Sequence, residues 1–201
     1  MANYRTSRII PSVLAIIIII VAIAGLVGLA RLLFGGSTQT ETVSQTQVAE
    51  QNLLNASDGR AVSMTVRGPI VAQEDFRSYK IVISPSSRDF QAYTGYLNTI
   101  TSQQTLPNNT TAYEEFVNAL NKANFVAGTP FEGEQNNLLG ICATGTVYEF
   151  NTLLAGQSQE MLWTSTCNGS RGSLKANVTQ VSQLFLNQIP EGSNIAASLK
   201  L

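Results

Sequence analysis

The hydrophobic pattern along the chain changes character three times. Residues 13–30 form an unbroken apolar run of roughly 18 positions, long enough to cross a bilayer as a helix. From Ala61 the apolar residues alternate instead, with Val62, Met64 and Val66 interleaved by Ser63, Thr65 and Arg67, the period-two mark of a half-buried strand. Gly68-Pro69 ends that strand. A second strand is expected over residues 76–84, with Tyr79, Ile81 and Ile83 on one face. Pro85-Ser86-Ser87 turns the chain into a third, over residues 90–96.

The period then becomes helical. Thr111 and Glu114 have capping-box spacing, and Tyr113, Phe116, Val117 and Leu120 fall on one stripe of a helix expected to run to about Phe125. Gly128 and Pro130 are stop signals. Residues 141–154 and 160–167 read as extended chain around a turn at Ala155-Gly156-Gln157. Val178, Val181, Phe185 and Ile189 mark a last helix over about 176–188. The expected domain is therefore α+β in the order β-β-β-α-β-β-α, an antiparallel sheet with two helices on one face.

The apolar run divides the chain into unlike parts. Residues 1–8 precede the membrane segment at 9–34, residues 35–59 are expected to be a flexible tether rich in Gly, Ser, Thr and Gln, and the domain follows at 60–201. A short helix over residues 48–54 would fall inside the tether. The run exceeds the apolar region of a cleaved signal peptide and ends in Arg31-Leu32-Leu33-Phe34, which suits a signal-anchor. Arg5 and Arg8 precede it and only Arg31 follows closely, so the N-terminus is expected in the cytoplasm and the domain outside the plasma membrane. Ala24 and Gly28, four apart, have the small-xxx-small spacing that permits weak self-association of such helices.

All 13 acidic residues lie beyond Gly35, with 12 basic residues in the whole chain and no basic stripe, which argues against a nucleic-acid partner. Cys142 and Cys167 are the only cysteines and fall in the part expected outside the cell, so a disulfide is expected. With Gly156 as hairpin tip, Cys167 stands opposite about position 145, a modest bend from Cys142.

The chain has no histidine, which removes the usual catalytic triads and most zinc sites. A serine nucleophile would have to rely on lysine, as in Ser78-x-Lys80 or Ser173-x-Lys175. Glu132, Glu134, Asn136 and Asn137 supply oxygen ligands in one loop, but in no defined calcium-loop spacing. No cofactor is expected. Candidate contacts with a protein, peptide or glycan are Tyr93 and Tyr96, and the loop carrying Asn168, Ser170 and Arg171, which could also present amides to an anion. Trp163 is expected to be a packing residue. Asn55, Asn108, Asn109, Asn168 and Asn177 each open an N-glycosylation triplet.

A hydrophobic N-terminal helix ahead of a sheet domain with a late disulfide resembles the type IV pilins, which implies envelope assembly. The chain departs from them in having no acid before Glu41 and in Gly35-Gly36, which would interrupt a long continuous helix. The residues favour a membrane-anchored, non-catalytic binding or accessory module over a pilin-like subunit or a histidine-free Ser/Lys hydrolase.

Overall fold

The computed structural model describes residues 45–201. The segment expected to span the membrane at 9–34, with Ala24 and Gly28, lies outside them. Among the described residues no helix is long and apolar enough to cross a membrane.

The domain is α+β. Helix α1, Gln45–Leu54, leads into strands β1, Arg60–Arg67, β2, Arg77–Ile83, β3, Ser87–Thr94, and β4, Thr99–Pro107. Helix α2, Thr110–Lys122, and a 3-10 turn at Gly133–Asn136 precede β5, Val147–Leu154, and β6, Gln157–Ser165, and helices α3, Val178–Leu186, and α4, Gly192–Ser198, close the chain. The sheet order is β4-β3-β2-β1-β5-β6, and every pairing is antiparallel. The first four strands make a meander running outward from β1. Helix α2 then brings the chain back, and the β5–β6 hairpin pairs on the other side of β1.

The apolar face of the alternating strands sets the core. Val62, Met64, Val66, Tyr79, Ile81, Ile83, Phe90 and Phe150 turn toward the helices and pack with Phe116, Val117 and Leu120 of α2 and Val181 and Phe185 of α3. Four phenylalanines meet in its centre, Phe185 lying 5.3 Å from Phe116 and 6.1 Å from Phe150, and Phe125 lying 5.8 Å from Phe150. The other sheet face carries a polar row read across the register as Gln103, Gln91, Lys80, Thr65 and Glu149. One face buried and one polar is the arrangement open to an antiparallel sheet.

Four elements differ from the sequence expectation. β4 was not foreseen: TITSQQTLP has no apolar alternation because the strand lies at the sheet edge and buries almost nothing. Beyond the two helices of the domain and the short one expected at 48–54, the described residues hold a further helix, α4. Within the stretch expected as tether, residues 45–54 form α1, whose Ala49 and Leu53 sit in the core, so the packed domain includes this helix. Helix α2 begins earlier than its Thr111–Glu114 pattern suggested, because Asn109 is the N-cap, its side-chain oxygen accepting from the Ala112 N–H at 2.9 Å.

The disulfide joins Cys142 and Cys167, with Cα atoms 5.6 Å apart. The turn is a two-residue loop in which Ala155 and Gly156 both have positive φ, 51° and 79°, the type I′ form that matches strand twist. Thr166 donates to the Thr146 carbonyl, which carries the pairing past the strand ends and sets Cys167 opposite position 145. The bend back to Cys142 requires Gly145: a Cβ there would stand 2.3 Å from Thr166 Oγ1 and 3.0 Å from the Cys142 sulfur.

Candidate functional site

One end of the sheet gathers the connections after β1, between β3 and β4, before β5 and after β6. After β1, Gly68 donates to Arg77 O and Ile70 to Ala143 O, which ties this loop to the chain entering β5. Between β3 and β4, Gly95 donates to Phe76 O at 2.9 Å with φ +70°, and a Cβ there would lie 2.4 Å from Gln73 Nε2. That tight approach lays the Tyr96 ring on Phe76, centroids 4.3 Å apart. The Tyr96 hydroxyl donates to Val71 O at 2.6 Å and accepts from Val71 N at 3.1 Å. The two loops are thereby locked to each other.

Between them and the cysteine loop opens a cleft of about 90 Å³, lined by Ile70, Phe76, Tyr96, Leu138, Leu139 and Val147 with the disulfide's Cys142. Its rim is strongly apolar. Of its lining Ile70 and Leu139 are exposed, Leu139 at 87%, and so are Val71, next to Ile70 in the chain, and Leu97, next to Tyr96. Isolated exposed leucines are ordinary, whereas apolar side chains that line a cleft on hydrogen-bonded loops are a candidate contact surface.

Of the candidate contacts, the structure brings Tyr96 and the 168–171 loop to this same end. Asn168 and Arg171 are exposed, and Ser170 Oγ donates to the Ile141 carbonyl at 2.9 Å, binding the loop to the cleft wall. The loop is a cover for the edge of β6: Ser165 Oγ donates to Ser170 O, Thr164 Oγ1 to Arg171 O, and Leu174 N to Trp163 O. Its Ser170 amide is taken by Cys167 O. Tyr93 is placed apart, on the polar face, half-buried, with its hydroxyl donating to Gln91 Oε1 at 2.5 Å. Burial raises its phenol above the ordinary value.

Ser78 and Lys80 share the polar face, Ser78 buried between Arg67 and Tyr93 in the register, and no hydrogen bond joins the pair. Ser173 is buried and its Oγ accepts from Trp163 N at 3.2 Å. Trp163 packs outside the main core, beneath Phe131 at 6.0 Å. In the 132–137 loop, Glu134 accepts from Asn137 while Glu132 lines a separate cavity, and among the described residues no group of three acidic or cysteine side chains could hold a metal. Four of the glycosylation-triplet asparagines use their side chains locally: Asn109 and Asn177 cap helices, Asn55 accepts from Ser57 N, and Asn108 donates to Ser84 O.

Sequence reasoning missed Ile70, Val71, Leu97 and Leu139. They fall in short apolar pairs within loops, Ile70-Val71, Tyr96-Leu97 and Leu138-Leu139, and only the fold brings Ile70, Tyr96 and Leu139 to one cleft. No protein-family model matches the chain, and no curated protein matches it.

Proposed function

We propose that the chain is a membrane-anchored, extracytoplasmic binding module that engages a partner protein through the apolar end of its sheet and performs no catalysis. The observation that carries this reading is Leu139, almost wholly exposed on a cleft whose walls are fixed by a ring stack, backbone hydrogen bonds and a disulfide, with the equally exposed Leu97 following the cleft's Tyr96 in the chain. Fully burying one leucine contributes about 1.5–3 kcal/mol, so two leucines with Ile70 and Val71 supply the apolar centre of a modest interface. Loops held in advance lose little entropy on binding. The anchor and its sidedness rest on the 13–30 apolar run and on Arg5 and Arg8 ahead of it. A disulfide fits an oxidising compartment.

The test uses the full chain in its native membrane. A photo-crosslinking residue at position 97 or 139 should yield one dominant protein adduct, while the same probe at exposed Asn118 of α2 should not. Leu97→Asp, made with the probe at 139, should suppress the adduct without changing the thermal unfolding of the protein. Equal labelling from all three positions, or an adduct indifferent to Leu97→Asp, would overturn the assignment. Loss of a measured turnover on Ser78→Ala or Ser173→Ala would overturn the non-catalytic part.

A further inference from the structure

Away from that end, the outer strand β6 carries a carboxyl group that the chain leaves without a partner. Thr152 pairs with Glu160 across the β5–β6 hairpin, and both side chains turn to the helix face of the sheet. Behind them lie Phe125, Val126, Phe150 and Leu162. In front opens a cavity of about 280 Å³ between α1 and the loop after α2, walled by Val48, Ala49 and Pro130, with Glu132 at its exposed rim.

Two observations show that this cavity is electrostatically incomplete. Glu160 is half-buried and makes no side-chain hydrogen bond or ion pair among the described residues, and desolvation raises its carboxyl above the ordinary value. Thr152 is 5% exposed, and its hydroxyl, lining the same cavity, has no hydrogen-bond partner either. Both groups face the cavity, so a donor that enters it can satisfy the two together. No lysine or arginine of the described chain lines the space; its only titratable groups are Glu132 and Glu160.

We propose that this cavity binds a primary ammonium carried on an aliphatic stem, with Glu160 as counter-ion, Thr152 Oγ1 as second acceptor and Glu132 as the acid at the entrance. An ammonium has three donors and no acceptor, and it can donate at once to the Glu160 carboxylate, the Thr152 hydroxyl and a carboxamide oxygen of Gln45, Asn52 or Gln159, which also line the cavity. The stem would lie along Val48 and Pro130. The volume is just below the roughly 300–1,000 Å³ of drug-sized pockets, so it suits one side chain or a short alkylamine and not a cofactor. Among the described residues no group of three acidic or cysteine side chains could hold a metal here. The ammonium could be a free amine or the lysine of another protein, and the experiment separates these.

The full chain in non-ionic micelles, with its glutamates labelled at the carboxyl carbon, would be titrated near neutral pH with cadaverine, with a blocked lysine peptide and with butanol. A saturable shift of the Glu160 signal with either amine and none with butanol is expected. Tighter binding of cadaverine assigns a free amine, and tighter binding of the peptide a partner's lysine. Thr152→Val should weaken the amine at least threefold, and Glu160→Gln should weaken it at least tenfold by calorimetry, while Glu134→Gln, outside the cavity, should change nothing. The proposal falls if no amine gives saturation, if butanol gives the same shift, or if Glu160→Gln binds as the parent does.

Discussion

Replacing Leu53 with alanine tests whether α1 is part of the folded domain. Leu53 is 1% exposed and belongs to the core cluster, while its neighbour Leu54 is 39% exposed. Removing a buried leucine side chain to Cβ loses its transfer free energy and leaves a cavity, together about 2–5 kcal/mol in rigid surroundings. Helix α1 is the first packed element, joined to the rest at one end only, so it can shift to fill part of the void. The expected loss is therefore about 2–3 kcal/mol. Leu54→Ala, on the same helix and with the same change in propensity, should cost under about 0.5 kcal/mol as a surface substitution. Both variants would be unfolded in urea, monitored by the fluorescence of Trp163, and compared at constant slope. Equal midpoints for the two variants would refute the placement of Leu53 in the core. A two-step transition in Leu53→Ala would show that α1 detaches before the sheet unfolds.

Two further outcomes follow from the same geometry. Changing both Cys142 and Cys167 to alanine should lower stability by about 3.5 kcal/mol in the chain-entropy model for a separation of 25 residues, read as a fall in urea midpoint; an unchanged midpoint would show that the bridge does not constrain the unfolded chain. Because burial raises the Glu160 carboxyl in the folded state, that group favours folding most below the ordinary carboxyl value of 4.5, and the contribution is lost as pH rises through the raised value. Glu160→Gln should accordingly melt like the parent in acid below that value and at a higher temperature near neutrality, and a variant that is less stable at neutral pH would contradict this sign.

How far the sequence announces this fold depends on what each segment buries. β1 and β2 carry three core residues each in strict alternation, and α2 and α3 carry them at helical spacing, so pattern alone locates them. The disulfide was legible because the hairpin turn fixes what stands opposite Cys167. β4 offers only Ile100 and Leu106 to the eye, since an edge strand is held by backbone hydrogen bonds to β3 and needs no apolar stripe. Helix α1 touches the core through Ala49 and Leu53 alone, one turn apart, so a short helix over 48–54 can be read from the sequence while its place in the core cannot. The apolar rim escaped for a different reason. Ile70 and Leu139 are far apart in sequence and come to line one cleft only when the strand ends converge.

The cavity beside Glu160 shows the limit of such reading most sharply, because it depends on a single irregularity of register. From the tip at Ala155-Gly156, Leu154 pairs with Gln157 and Leu153 with Ser158, and a regular ladder would continue by pairing Thr152 with Gln159. That would turn Gln159 toward the helices and Glu160 to the polar face, where a carboxylate is solvated. The register instead shifts between Thr152 and Leu153, so Glu160 takes the inward place. One extra residue in β6 thus moves a charge from the solvated face to the edge of the core, since side chains alternate with period two. The desolvation this imposes is not relieved by any cation of the described chain that lines the cavity. The cation proposed for the cavity would offset that desolvation, which ties the proposed site to this one irregularity of the hairpin.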